Sequence, residues 1–363
     1  MTKFLFGALY LATGLSVQAA AIYDSGPLIG YSTVSGYAVS DGGTVVGIGL
    51  GSSVQQAVRW TPGGGISGLG YLPGYTKSYA LDVSGDGATV VGYSLTSAGQ
   101  SQAFRWTQAG GMTGLGGNGS FARGVSDNGS VITGDTFVLG SGTRAFRWTP
   151  GGGMQNIGTL AGDNTSAGNA VSADGKTIAG LSYQILPSGD TTNWQAFRWT
   201  ETGGMVGLGR LPGDTSSQAT AVSADGSFII GMSGTSYIQQ TGFRWSQSEG
   251  LINLGLYEAL GVSGDGSVVV GSVRTTGAAI WDAAHGVRDL KQLLMAEGIN
   301  MNNWSSNSAQ DVSADGTIIT GIGNYNGQSR LWVVVIPEPG ATALVLLGLA
   351  AFWKRQKLSL RKS

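Results

Sequence analysis

Aspartates that recur at turns are the first residues in this sequence that could do chemistry, since carboxylates bind calcium or transfer protons. They are Asp41, Asp86, Asp174, Asp225, Asp265 and Asp315, and Asn128 stands in the corresponding place of the third copy. Each lies in a Val-Ser unit that runs into an Asp-Gly or similar pair, which accepts the positive φ of a tight turn. Equivalent positions of a repeat are spread apart, so their spacing and the Asn substitution favour a turn role over a ligand role.

Five further aspartates lie outside these units, and a hydrolase or lyase could pair two of them if distant segments meet. They are Asp82, Asp135, Asp163, Asp214 and Asp311, and nothing in the sequence ranks them. The chain has no cysteine and one histidine, His285, which argues against multi-histidine metal sites. A Ser-His triad would have to use His285. Gly47, Gly49 and Gly51 resemble part of a phosphate loop but lack its strand-to-helix context. We therefore predict no catalytic residue, no metal and no cofactor.

A second recurring motif pairs arginine with tryptophan. It stands at Arg59-Trp60, Arg105-Trp106, Arg147-Trp148, Arg198-Trp199 and Arg244-Trp245, and the last two copies keep only the tryptophan, at Trp281 and Trp332. In a strand, Phe104 and Trp106 point to one face and Arg105 to the other. We expect the aromatic rings in the core between repeats, with the arginines pairing with turn carboxylates or stacking on rings. A carbohydrate-binding aromatic platform is the alternative interpretation.

The two motifs alternate seven times and so define the architecture. The Val-Ser units begin at Val39, Val83, Val125, Val171, Val222, Val262 and Val312, with spacings of 40 to 51 residues. Each repeat offers four short β-prone runs separated by turns, which is typical of a propeller blade. We predict an all-β fold, a β-propeller of seven four-stranded blades. A β-solenoid is the alternative, but its rungs need a nearly constant length.

The two ends of the repeat region predict how the ring closes. The seventh repeat stops after the strand that contains Trp332, without a fourth strand, and residues 23–30 resemble a spare fourth strand. We expect this N-terminal strand to complete the last blade and leave no open edge.

The sixth repeat carries an irregular insert at residues 287–295. Its apolar residues on one helical face are Val287, Leu290, Leu293 and Leu294. Gly298 fits a C-terminal cap, so we predict a short helix over the rim of the sixth blade. A functional lid is the alternative.

Residues 1–21 have the three parts of a signal peptide. Lys3 is the basic start, residues 4–15 are apolar, and the small residues Ala19, Ala20 and Ala21 form the expected cleavage zone.

Residues 337–363 have a different three-part order: Pro337-Glu338-Pro339, a 14-residue apolar run, and a basic end that includes Lys354, Arg355 and Lys357. As a helix the apolar run would be about 21 Å long, against ~30 Å for the hydrocarbon core, and snorkelling basic side chains can make up part of the difference. We predict a C-terminal transmembrane helix with its basic end in the cytoplasm and the body across the membrane.

The body, residues 22–336, holds 14 basic and 20 acidic residues and so carries a net charge of −6. A nucleic-acid-binding domain needs a basic surface, so this charge argues against nucleic acid as a partner.

These motifs carry two resemblances. The repeated Ala-Phe-Arg-Trp and Val-Ser-Ala-Asp-Gly segments resemble the HAF-type extracellular repeat family over most of residues 31–335, although Gln102 and Gln195 stand where that family has His. The Pro-Glu-Pro tail resembles the PEP-CTERM sorting signal of Gram-negative bacteria. That resemblance implies recognition by an exosortase, removal of the tail, and delivery from the inner membrane to the cell envelope or extracellular matrix, often beside exopolysaccharide.

Neither family implies a known catalytic activity. The sequence therefore favours a non-enzymatic, exported propeller that binds a glycan or a surface protein, and the alternative is a secreted polysaccharide-active hydrolase or lyase.

Overall fold

The computed structural model describes residues 21–24 and 31–336, apart from Ser53, Asn118 and Tyr237. In this part of the chain, 28 strands form seven separate antiparallel sheets of four strands each. The first long strand of each sheet contacts that of the next, and the last contacts the first, so the seven sheets form a closed ring. The predicted seven-bladed propeller is confirmed.

Six blades are formed by consecutive strands, and in each blade the first strand lies nearest the centre of the ring. The first blade contains β2 (Thr33–Val39), β3 (Val45–Leu50), β4 (Gln55–Thr61) and β5 (Gly65–Gly68). The second contains β6 (Lys77–Val83), β7 (Thr89–Leu95), β8 (Ser101–Thr107) and β9 (Gly111–Gly114). The third contains β10 (Phe121–Val125), β11 (Ile132–Val138), β12 (Gly142–Thr149) and β13 (Gly153–Asn156).

The next three blades follow the same order. The fourth contains β14 (Thr165–Val171), β15 (Thr177–Ile185), β16 (Thr191–Thr200) and β17 (Gly204–Gly209). The fifth contains β18 (Ser216–Val222), β19 (Phe228–Ser236), β20 (Gln239–Ser246) and β21 (Gly250–Asn253). The sixth contains β22 (Glu258–Val262), β23 (Val268–Val273), β24 (Gly277–Asp282) and β25 (Gly286–Asp289), followed by the helix α1 (Leu290–Ala296).

The seventh blade joins the two ends of the described chain. It contains β26 (Trp304–Val312), β27 (Ile318–Tyr325) and β28 (Gln328–Val335), and β1 (Ala21–Asp24) is its outer strand. β1 pairs antiparallel with β28, from Ala21 opposite Val335 to Asp24 opposite Trp332. The prediction that an N-terminal strand completes the last blade is confirmed, but the described strand shares only Tyr23 and Asp24 with the expected segment 23–30, of which residues 25–30 lie outside the described ranges.

The apolar core lies between blades, as one cluster at each of the seven interfaces. Between the first and second blades, for example, Ala57 of β4 packs against the cluster that contains Phe104 of β8, and both are fully buried. Each third strand therefore presents its alanine side to the following blade and its Phe-Trp side to the preceding one. This two-sided burial explains the repeated Ala-Phe-Arg-Trp sequence.

Every inner strand contains a β-bulge, and the bulge explains the second glycine of the repeat. In the fourth blade the register shifts between Gly168 and Ala170. Opposite the bulge, a Cβ on Gly180 would lie 2.0 Å from the carbonyl oxygen of Ala167 and 2.9 Å from the ring of Phe197. Only glycine fits between this carbonyl and the ring.

Two local predictions need correction. Trp332 pairs with Gly321, just as Phe197 pairs with Gly180 in the fourth blade. Trp332 therefore occupies the Phe position of the repeat, two residues before the Trp position to which the sequence assigned it. Val287 lies in β25 rather than in the helix, because this segment completes the sixth blade before α1 begins. The predicted helix itself is present, with Asp289 as its N-cap.

The helix α1 is part of the core rather than a lid. Leu290 and Leu294 are buried in the cluster between the sixth and seventh blades, together with Trp304. The side chain of Lys291 also donates to the carbonyl of Trp304, at 2.7 Å.

Candidate functional site

The recurring aspartates stabilise the turns between the first and second strands of the blades, on one face of the ring, here named the turn face. In the second blade, Oδ1 of Asp86 accepts from the hydroxyl of Ser84 at 2.5 Å and from the amide of Ala88 at 2.9 Å. These two hydrogen bonds hold the pKa of Asp86 below its usual range. Asn128 accepts the same pair of bonds, from Ser126 and Ser130 at 3.0 Å each.

Asp41 does not belong to this set. Because the first turn is one residue short, Asp41 follows Ser40 directly and takes the place that Ala173 has in the fourth blade. Its carboxylate accepts from the backbone amide of Ala314 at 2.9 Å and so links the first blade to the seventh. The sequence-based grouping of Asp41 with the other turn aspartates is wrong for this reason.

Residues of all seven inner strands line a central channel, which holds a cavity of 220 Å³. Each bulge places one side chain at the channel wall: Tyr37, Leu81, Arg123, Asn169, Thr220, Leu260 and Gln310. Some of these side chains also bond to the neighbouring blade. Asn169 donates to the carbonyl of Ala219 at 2.8 Å, and Thr220 to that of Ala259 at 2.7 Å.

Two of the predicted non-turn acids, Asp82 and Asp311, lie on this channel. Asp82 accepts from the amides of Val83 and Val125, both at 2.8 Å, and Asp311 accepts from the amide of Val39 at 2.9 Å. Both residues line the channel, and both are partly buried by the surrounding protein. Desolvation and the charge of Asp311 raise the pKa of Asp82 to about 8, and desolvation raises that of Asp311 to about 7.

The other three predicted acids lie elsewhere. Asp135 is buried and forms an ion pair with Arg123, Nε to Oδ1 at 2.5 Å. Asp163 accepts from the hydroxyl of Ser182 at 2.8 Å and lies in the loop before the fourth blade. Asp214 holds the corresponding loop before the fifth blade, where its amide donates to the carbonyl of Leu211 at 3.1 Å. The carboxylate of Asp163 therefore has a local structural role, whereas the bond of Asp214 involves only its backbone.

His285 lies in an outer turn of the sixth blade, with 60% of its side chain exposed. Nδ1 lies 2.9 Å from Oδ1 of Asp282, which also accepts the backbone amide of His285. Among the described residues no serine or threonine hydroxyl bonds to this imidazole, so the geometry gives no support to a Ser-His triad. Gly47 and Gly49 lie within β3, and no helix follows them.

Two arginines of the Arg-Trp motif, Arg59 and Arg244, reach the next blade, whereas Arg105 and Arg198 bond to threonines of their own blades. Arg244 lies over the rings of Phe228, at 4.6 Å, and of Trp281 in the next blade, at 5.1 Å. It also donates to the carbonyl of Gly266 at 3.2 Å and to Glu249 at 3.1 Å. The predicted stacking and the predicted pairing with a turn carboxylate are therefore both present at this interface, although the carboxylate is Glu249 rather than one of the recurring aspartates.

A different set of aromatic residues remains partly exposed at the opposite end of the channel, here named the loop face. This set, the aromatic arc, consists of Tyr79, Tyr93, Phe121, Tyr183 and Trp194. Tyr79 stacks on Tyr93 with centroids 4.6 Å apart, and Phe121 meets Tyr93 edge-on at 4.7 Å. Tyr183 stacks on Trp194 at 4.3 Å. The arc spans the second, third and fourth blades.

The ion pair of Arg123 and Asp135 lies between the two halves of the arc. The guanidinium of Arg123 is 5.5 Å from the centre of the Phe121 ring, and 37% of its side chain is exposed. Burial and then the charge of Asp135 raise the pKa of Tyr183, and Arg123 opposes this effect. Burial and the neighbouring Tyr79 raise the pKa of Tyr93 to about 12. The tyrosines therefore remain neutral hydrogen-bonding groups at physiological pH.

Sequence reasoning missed this arc because its members are not part of the repeat. The predicted aromatic platform concerned the Phe-Arg-Trp strands, whose phenylalanines are fully buried. One signal was available: Tyr79 and Phe121 stand four residues before the valines at 83 and 125, a position that fixes their direction on the inner strand.

Within the described ranges, no group of three or more His, Asp or Glu side chains could hold a metal ion. The expected cleavage residues Ala19 and Ala20 and the sorting residues Pro337, Glu338 and Pro339 lie outside those ranges, as does the predicted transmembrane helix with Lys354, Arg355 and Lys357. Ala21 begins β1. In the part of the chain that the structure describes, no helix is long and apolar enough to cross a membrane.

Comparison with known proteins identifies the fold alone. No family model matches the chain, and no curated protein sequence matches it. Among solved structures, oligogalacturonate lyase from Vibrio parahaemolyticus has a TM-score of 0.56 and 9% identity, covering 91% of this chain and 96% of that chain. Streptogramin B lyase has a TM-score of 0.52 and 12% identity, covering 87% and 97%.

TolB from Acinetobacter baumannii has a TM-score of 0.46 and 11% identity, covers 90% of this chain, and is matched over 66% of its own length. That score is too low to carry an argument. At identities of 9 to 12%, the two lyases share with this chain a propeller scaffold, and their activities do not transfer to it.

Proposed function

We propose that this protein is an exported, non-enzymatic propeller whose aromatic arc binds a glycan. The observation that carries the proposal is the arc itself: two groups of partly exposed, stacked rings at the loop face, in which each tyrosine and tryptophan also bears a polar group. Such rings offer flat apolar faces to the C–H faces of sugars and polar edges to their hydroxyls. Partly exposed aromatic clusters commonly mark a binding surface.

The arrangement of the arc favours an extended ligand. The Tyr79–Tyr93–Phe121 half and the Tyr183–Trp194 half lie on different blades, with Arg123 between them. Because Arg123 is already paired with Asp135, the site does not present a free cation for a strongly anionic partner. A glycan chain of several units would contact both halves.

The test is binding of the full chain to immobilised polysaccharides, compared with the variants Tyr79→Ala and Tyr93→Ala. We expect each variant to weaken binding by at least about fivefold, because each removes one stacking surface. Tyr325→Ala is the matched control, since Tyr325 is also a partly exposed tyrosine in contact with another aromatic ring, Trp304 at 5.1 Å, but lies on the seventh blade outside the arc. Binding that survives both arc substitutions would refute the proposal.

A polysaccharide-active hydrolase or lyase is the second candidate, and Asp82 and Asp311 favour it. Two acids with pKa values of about 8 and about 7 on one channel are suitable proton donors near neutral pH. Incubation of the full chain with the bound polysaccharide distinguishes the two functions. Release of reducing or unsaturated ends that disappears in Asp82→Asn or Asp311→Asn would establish the enzyme and exclude the binding-only function.

Export and sorting are the second part of the proposal, and they rest on the Pro337-Glu338-Pro339 tail with its apolar run and basic end. Exosortase-type machinery would recognise this tail, and the cell envelope or extracellular matrix would be the destination. Replacing Glu338 with Ala, or deleting residues 337–363, should alter processing and final location while the melting temperature stays the same. An unchanged location and processed size would contradict the sorting role.

A further inference from the structure

A second cavity lies between the fourth and fifth blades, at the loop face. It has a volume of 580 Å³, within the range of about 300–1,000 Å³ that is common for small-molecule sites. One wall is the start of β16, including Trp194, and the other is formed by β18, β19 and the start of β20. Two long hairpins, β15 with β16 and β19 with β20, flank this interface.

The lining of this cavity is polar but uncharged. Apart from Trp194, Met232 and Gly234 it consists of side chains with hydroxyl or amide groups: Thr191, Thr192, Asn193, Thr215, Ser216, Ser217, Gln218, Ser233, Thr235, Ser236 and Gln240. A charged ligand would lose its hydration here without gaining a counter-ion, which is costly. The lining itself therefore offers no counter-ion to uronates, phosphates or amines.

Several of these polar groups lack partners within the protein. Among the described residues, none forms a hydrogen bond with the side chains of Thr192, Gln218 or Gln240, whereas Ser217 and Ser233 are fully engaged with backbone groups. The amide nitrogen Nε2 of Gln240 is buried and has no partner in this part of the chain. A buried amide N–H without a partner is unfavourable, so a rotation of the Gln240 side chain that brings it to an acceptor oxygen of a ligand would be stabilising. An apolar ligand would leave it unpaired.

Trp194 is held in a fixed orientation beside the cavity. One face of its indole stacks on Tyr183, with an interplanar angle of 8°, while the residue also lines the cavity. The preceding residue, Asn193, has a φ of 61°, in the left-handed region that residues other than glycine seldom adopt. The register of β15 and β16 shifts here, and Trp194 lies on the same side of β16 as Ala196, which packs against the fifth blade. Strained backbone of this kind is concentrated at functional sites.

We propose that this cavity binds one uncharged sugar unit, which stacks on Trp194 and forms hydrogen bonds with Gln218 and Gln240. The ring supplies a flat apolar surface, and the amides match the hydroxyl groups of a sugar. This inference rests on the proposed function, since Trp194 belongs to the aromatic arc. It adds a specificity-determining subsite: the arc binds the polymer, and the cavity selects a neutral residue or side branch.

The test is titration of the full chain with the methyl glycosides of glucose, galactose, mannose and N-acetylglucosamine, and with glucuronate and galacturonate. Tryptophan fluorescence and calorimetry report binding. At least one uncharged sugar should bind saturably, and its uronate should bind at least about tenfold more weakly. If none of the uncharged sugars binds, the proposal is overturned.

Gln240→Leu tests the site without disturbing the fold. It removes the unpaired buried amide, so the melting temperature should stay the same or rise, while the affinity for the sugar should fall about fivefold or more, the effect of one lost hydrogen bond. Gln155→Leu, on the exposed outer strand β13 of the third blade, is the matched control and should bind as the unmodified chain does.

The two proposals fail in different ways. If Gln240→Leu and Trp194→Leu bind the small sugars normally while Tyr79→Ala and Tyr93→Ala still lose polysaccharide binding, the cavity is not the subsite but the arc remains the glycan site. If the arc variants bind polysaccharide normally and the full chain binds no small sugar, both proposals are wrong.

Discussion

The two channel aspartates make the stability of the protein depend on pH. Asp82 and Asp311 have an ordinary pKa of 3.8 in the unfolded chain, and the fold raises these values to about 8 and about 7. Between pH 3.8 and the raised pKa values, the folded state keeps protons that the unfolded chain has lost. Their contribution to stability is therefore complete below about pH 4 and is lost as the pH rises to about 8.

We accordingly predict that the melting temperature falls between pH 4.5 and pH 8, and that the double variant Asp82→Asn/Asp311→Asn shows a smaller fall. Thermal melts followed by circular dichroism at three pH values would measure this. Asp190→Asn, in the exposed loop between β15 and β16, serves as the control. An equally steep fall in the double variant would show that these two groups are not responsible.

For the turn aspartates we make a different prediction, because the chain already has asparagine, Asn128, at one of these positions. Oδ1 of Asp225 accepts from Ser223 at 2.8 Å and from the backbone amide of Ser227 at 2.9 Å, and Asn128 accepts an equivalent pair in the third blade. Asp225→Asn should therefore change the free energy of unfolding by no more than about 0.5 kcal/mol, whereas Asp225→Ala should cost about 1–2 kcal/mol. Urea unfolding would measure both. A cost for Asn as large as that for Ala would show that the charge, not the hydrogen bonding, matters.

At the scale of elements, turn chemistry and a two-residue alternation were enough to predict the blades. Asp-Gly pairs, or Asn-Gly in the third blade, marked the first turn of six blades, and the Ala/Phe alternation indicated which faces are buried, so the number of blades, their four strands and the presence of a closing strand were predictable. The seventh tryptophan was assigned to the Trp position of the repeat, although it occupies the Phe position, because the sequence alone does not distinguish the two. Only the backbone pairing of Trp332 with Gly321 distinguishes them.

The candidate site was much less predictable. The arc residues come from three blades and a span of more than 100 residues, and they meet only because the ring brings the ends of their strands together. The acids Asp82 and Asp311 were candidates from the start, but their separation along the chain gave no reason to pair them. Their common position after a bulge on an inner strand, Ala80/Asp82 and Ala309/Asp311, appears only in the strand register.

The bulge also allows a sharp prediction about an element. Gly180→Ala should destabilise the protein by at least about 2 kcal/mol, because its Cβ would lie 2.0 Å from the carbonyl oxygen of Ala167 and the backbone would have to shift. Gly151→Ala is the matched control, since a Cβ there meets no atom within 4 Å. Urea unfolding compares the two. Similar stabilities would mean that the close contact between β14 and β15 is relieved at little cost in free energy.

At the scale of the whole molecule, the first and seventh blades meet through more than strand β1. Asp311 accepts from the amide of Val39, and Asp41 accepts from the amide of Ala314, so two carboxylates cross this interface in opposite directions. An apolar cluster that includes Trp60 and Leu331 fills the rest of the interface. The ring is thus closed by packing and by hydrogen bonds as well as by the shared sheet.

Closure predicts a large effect for a short deletion. Removing residues 21–24 would expose the edge of β28, which pairs with them along its last four residues, and would take Ile22 and Tyr23 out of two different clusters. Burying side chains of this size contributes roughly 1.5–3 kcal/mol each when complete, against a typical total stability of about 5–15 kcal/mol.

We expect the full chain without residues 21–24 to melt at a lower temperature and to aggregate through the open edge. Ile22→Asp should have the same effect in weaker form, because Ile22 packs against the cluster between the sixth and seventh blades. Leu139→Asp, at a hairpin tip where the side chain is 91% exposed, controls for an added charge. Thermal melts and light scattering measure both properties. If the deletion variant were as stable and as monodisperse as the intact chain, β1 would be an appendage, and the packing of the first blade on the seventh would close the ring without it.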